Sequence, residues 1–139
     1  MTAVPTLYAY LDRCVGDMAG DDVFLLSAVR RWVFAVRHTR CPQAMLRSGF
    51  AHRRVDDALL PFLCAMTLLD RHGYGTMRFA DVRHPHVGDD EARILTLFGA
   101  ARVNDPALIR IAASLVSDGM AMQLAGAAGR IGAAMAPAT

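Results

Sequence analysis

Apolar residues recur along this chain at spacings of three and four, and the residues between the runs are those that start and stop helices. Leu7, Leu11, Val15 and Met18 mark one face of a first helix over about 5–18, with Gly20 beyond it. "GDD" at 20–22 opens a second helix reaching about His38, apolar around most of its circumference, which predicts a central position. Cys41-Pro42 starts a short third helix that Gly49 is expected to end. "VDD" at 55–57 leads into "LLPFLCAMTLLDRHG", with Gly73 just past its basic last turn. "GDDEARILTLFGAARV" is helical again, and Asn104-Asp105-Pro106 opens a further helix by a cap followed by proline. A last helix, rich in small residues, reaches about Met135. Between His72 and Gly88 the periodicity fails, and Met77, Phe79 and Val82 suggest one short extended segment near residues 76–83. The pattern predicts an all-α, single-domain bundle of five to six helices spanning residues 1–139.

The 54% apolar content of this 139-residue chain exceeds the usual figure of about 45–50%. Either the core is rich, or an apolar face meets a partner. Arg30 and Arg31 interrupt the longest apolar run, so no membrane span is expected. The first residues lack a basic stretch followed by an apolar one, which predicts no signal peptide and a cytoplasmic location.

All fifteen basic residues are arginine. Without lysine there is neither a phosphate-loop lysine nor an amine for Schiff-base chemistry. GxSxG, HExxH and CxxC motifs are missing as well, so no catalytic residue is assigned, no cofactor is expected and the reading leans away from an enzyme. The net charge of +2 conceals an asymmetry. Val23–Val55 holds seven Arg, two His and no acid, leaving eight Arg against thirteen acids elsewhere, a balance of −5. Arg30, Arg31, Arg37, Arg40, Arg53 and Arg54 therefore form a candidate anion-binding or nucleic-acid-binding face. The competing expectation is that the narrow arginine stripe meets acidic helix starts elsewhere in the domain, or a partner.

Twelve of the thirteen acids are Asp, and three Asp pairs each precede an apolar run. Asp89, Asp90 and Glu91 accordingly read as a helix start, since first-turn carboxylates complement the helix dipole. Just before them, "HPH" offers His84 and His86 as candidate metal ligands, facing one side if the segment is extended. Cys41, between Arg40 and a proline at a helix N-terminus, is a candidate reactive thiol, whereas Cys14 and Cys64 fall on apolar faces and are expected in the core. In the last helix Ala121, Ala125, Gly129, Gly132 and Ala136 compose a face of almost no side chain. Such a face suits close helix–helix contact, and the expectation is contact with a second copy in a homodimer.

The helix containing "AVRRW", the helix "LLPFLCAMTLL" and the turn into "DDEARIL" resemble a small alphaproteobacterial family known only as a domain of unknown function. The resemblance implies a cysteine-rich stretch where this chain carries "RHPH", and it implies no activity. The leading expectation is a non-enzymatic, homodimeric interaction protein. A small-ligand or metal-binding protein using His84, His86 or Cys41 is the alternative, and a nucleic-acid-binding module the third.

Overall fold

The computed structural model describes residues 7–136. Among these residues seven α-helices follow one another: α1 (Leu7–Tyr10), α2 (Gly20–Arg37), α3 (Pro42–His52), α4 (Leu59–His72), α5 (Asp89–Arg102), α6 (Leu108–Ala113) and α7 (Ala121–Met135), with single 3-10 turns before α2, α4 and α7. No strand forms among the described residues, so the class is all-α. None of these helices is long and apolar enough to cross a membrane.

The small-residue helix α7 lies at the centre, packed by α4, α5 and α6. Here the structure corrects the expected interface. Ala121, Ala125 and Gly132 are buried inside this chain, Gly129 is partly buried and Ala136 is exposed. The steric logic holds, but the surface approached is the chain's own. At Gly132 a Cβ would lie 2.8 Å from the Ala101 carbonyl oxygen at the end of α5. Elsewhere in the fold Phe24, Phe50, Phe62 and Phe98 form a file of rings across α2, α3, α4 and α5 at centroid spacings of 4.9, 5.5 and 6.1 Å.

The starts of α2, α3 and α5 follow the sequence closely, with acids in the first turns of α2 and α5, whereas α6 begins only at Leu108, beyond the Asn104-Asp105-Pro106 cap expected to open it. Three helix ends close in an unexpected way. α2, α3 and α5 close on Thr39, Arg54 and Asn104, each at positive φ (54°, 59° and 53°). The next amide in each case returns to the carbonyl five residues back: Arg40 to Ala35, Val55 to Phe50 and Asp105 to Ala100. This is the closure usually given to glycine. α3 consequently runs through Gly49, the expected stop, to His52. Gly73 has an ordinary φ of −66°. Its missing side chain serves a close approach instead, since a Cβ there would collide with the Leu69 carbonyl.

The first helix is shorter than expected. Its predicted start at Pro5 lies outside the described residues, and the helix gives way after Tyr10, where Asp12 takes a φ of 52°. From there the backbone bonds outward: Asp12 N donates to Val87 O, Val87 N to Arg13 O and Val15 N to Pro85 O. Residues 12–15 are thus laid along residues 85–87.

Candidate functional site

Residues 73–88 connect α4 to α5 without regular secondary structure. The extended segment expected at 76–83 pairs with no strand. Alternate amides donate instead to carboxylates in the first turn of α5, Arg78 N to Asp90 Oδ2 at 2.7 Å and Ala80 N to Glu91 Oε2 at 3.1 Å. A two-residue alternation is what extended backbone presents to one side.

Glu91 is the hub of this arrangement. It is 1% exposed and faces Arg30 of α2, itself 3% exposed. Arg30 Nε donates to Glu91 Oε2 at 2.7 Å and its Nη2 to Oε1 at 2.9 Å, a bidentate pair. The carboxylate also accepts from Gly88 N at 2.9 Å, closing the first turn of α5. The guanidinium further donates to the backbone oxygens of His84 at 2.8 Å and His86 at 2.9 Å. Burial by itself raises the Glu91 carboxyl, but the Arg30 hydrogen bonds, the Gly88 amide, the Arg30 charge and the Ala80 amide outweigh it and hold the pKa below its ordinary value. Two buried charges therefore fasten α2, α5 and the 78–88 loop with their bonding capacity almost filled.

That geometry moves Arg30 off the candidate anion-binding face, because its charge is neutralised inside the fold. Arg53 is also engaged, its Nη2 2.6 Å from Asp21 Oδ1 and its guanidinium 5.1 Å from the Phe24 ring centroid. Asp21 and its neighbour Asp22 also meet Arg102, and the Tyr10 hydroxyl lies 3.4 Å from Asp22. The competing expectation therefore holds for Arg30 and Arg53. Arg31, Arg37, Arg40 and Arg54 remain exposed, and among the described residues no carboxylate lies within ion-pairing distance of them.

His84 and His86 are exposed neighbours with ring centroids 6.3 Å apart. His84 Nδ1 is engaged locally, 3.0 Å from the His86 oxygen and 3.2 Å from its amide nitrogen. Among the described residues no group of three or more His, Cys, Asp or Glu converges as a metal site would require. The imidazoles line an open cleft of about 760 Å³ with Asp12, Arg78 and Asp89.

Cys41 is the exposed N-cap of α3, as expected, but Cys14 and Cys64 are exposed too, contrary to expectation. Cys14 leaves the core because the first helix ends before it, and Cys64 faces outward from α4. All three thiols should consequently be alkylated by iodoacetamide in the native protein, giving three adducts by intact mass. Fewer than three before denaturation would contradict this exposure.

On the other side of the 80–83 loop, the C-terminal half of α2 carries surface features that charge counting did not reveal. Phe34 is 41% and Val36 45% exposed, and Phe34 stacks on His38 at 4.1 Å. A cavity of about 370 Å³ lies between this part of α2 and the loop, lined by Val33, Phe34, Arg37 and His38 on one side and by Asp81, Val82 and Arg83 on the other. The available signal was Phe34, an apolar position within the basic stripe, which the reading of α2 as a central helix absorbed into the core. Comparisons with protein-family models, curated proteins and solved structures find no match to this chain.

Proposed function

We propose that this chain is a non-enzymatic interaction protein whose partner-facing surface is the exposed side of α2 and its continuation to Arg40. The observation that carries the reading is exposed Phe34 on the same side of the helix as Arg31, Arg37 and His38, with Arg40 just beyond, in an acid-free segment. An aromatic anchor bordered by arginine has the composition of protein interfaces. The buried ionic groups support the non-enzymatic part, since Arg30 and Glu91 direct their hydrogen bonds to one another and to backbone.

The charge of this surface favours an acidic partner. A second copy is the other partner considered, although the helix expected to make a homodimer lies within the fold. A titration of isotope-labelled protein with poly-glutamate, with poly-lysine as control, tests the reading. Amide shifts should concentrate on Arg31, Phe34, Arg37 and His38 and shrink as salt rises, because exposed charges are screened beyond about 8 Å at physiological ionic strength. Equal shifts with poly-lysine, or shifts confined to other helices, would contradict it. Light scattering over a dilution series tests the homodimer separately, and the expected result is a monomer.

A further inference from the structure

We propose that the cavity between the C-terminal half of α2 and the 80–83 loop is an anchor pocket for an acidic segment of a partner protein. An apolar side chain of that segment enters between Val33, Phe34 and Val82, while flanking carboxylates meet Arg37 and Arg83. This rests on the interaction reading above and names where the partner binds and what distinguishes it.

Three observations converge. The pocket has an apolar lining and a volume, about 370 Å³, near the lower end of ligand-sized cavities, which span roughly 300–1,000 Å³. Its rim carries an excess of positive charge, with Arg37 and Arg83 against Asp81; among the described residues no carboxylate lies within ion-pairing distance of either arginine. Arg30 also borders the pocket, but Glu91 neutralises it, so the available charge lies at the rim.

The third observation is that the loop wall is already fixed. Ala80 N is held by Glu91, His84 O by Arg30, and His84 N donates to Asp81 O at 3.0 Å. A preformed wall lowers the ordering cost of binding. On the α2 side, the Phe34–His38 stack sets an aromatic ledge beside the opening. Phosphate chains would find cations here, but they would leave the apolar lining unfilled, so an acidic peptide with an apolar anchor is the better fit.

Fluorescence anisotropy with the full chain at physiological salt tests the assignment. Three labelled probes are compared: a short Asp/Glu peptide with one central Leu, the same peptide with Ala in that place, and oligothymidine of equal length. The Leu peptide should bind about tenfold more tightly than the Ala peptide. Arg37→Gln and Arg83→Gln should weaken both peptides, whereas Val82→Asp should abolish the preference for Leu; circular dichroism checks that each variant is folded. Equal affinity for the two peptides would overturn the pocket while leaving an acidic partner in place. Failure of both peptides to bind would overturn the interaction reading as well. Tighter binding of oligothymidine than of either peptide would replace both with a nucleic-acid face.

Discussion

Glu91→Ala should lower the unfolding free energy by about 3–5 kcal/mol, because removing one member of a buried ion pair leaves the other charge uncompensated. Natural domains are stable by about 5–15 kcal/mol, so this variant should unfold at a much lower urea concentration. Replacing a buried pair by apolar residues is often neutral or stabilising. Here that rescue should fail. Arg30→Met with Glu91→Leu leaves the His84 and His86 carbonyls and the Ala80 and Gly88 amides without their partners, at about 1–3 kcal/mol for each group that stays buried. A double variant as stable as the wild type would show that the pair is dispensable to the loop. The pH dependence has a definite sign. The folded-state pKa of Glu91 lies below its ordinary value of 4.5, so its contribution is present above 4.5 and is lost as the pH falls through the lower folded value. Acid unfolding of Glu91→Gln should lack this component.

Substitutions of two glycines in the same helix should have opposite signs. Gly132→Ala drives a Cβ to within 2.8 Å of the Ala101 oxygen and 2.9 Å of its carbonyl carbon. Both are backbone atoms, so α5 and α7 must separate, and overpacking of this kind costs about 1–3 kcal/mol. At Gly129 a Cβ meets nothing within 4 Å. Gly129→Ala should therefore add about 0.5–1 kcal/mol by helix propensity alone. Thermal unfolding of the two variants checks the pair, and stabilisation by Gly132→Ala would contradict the close approach of α7 to α5.

These examples show what the sequence makes legible. Leu7, Leu11, Val15 and Met18 all pack against the core, yet only the first lies in an α-helix. Their spacing correctly marks which side is covered, but residues 85–87 compete for the backbone bonds a helix would have used, and sequence periodicity does not register that competitor. Arg30 and Arg31 are neighbours in sequence, but successive helical positions point about 100° apart. One is buried against Glu91 and the other is exposed.

The lone Glu of the chain was legible as a first-turn acid; its second partner, Arg30, is 61 residues away and was not. The end of α3 at Arg54 was obscured for a similar reason, because tertiary packing sustains a backbone geometry that glycine would adopt more readily. The small face of α7 was visible in the sequence, but its partner was not, since steric fit does not distinguish another helix of the same chain from a second copy.

Arg30 and Glu91 hold an otherwise irregular segment as a fixed wall beside the α2 surface. Amide hydrogen exchange measured residue by residue across 78–88 tests it most directly, because exchange reports local opening. Arg78, Ala80 and Gly88 should be protected, with Phe79 and Asp81 exchanging faster between them, and Glu91→Gln should weaken protection at Ala80 and Gly88 before the helices open. Uniformly fast exchange across 78–88 in the wild type, with no alternation and no response to Glu91→Gln, would contradict it.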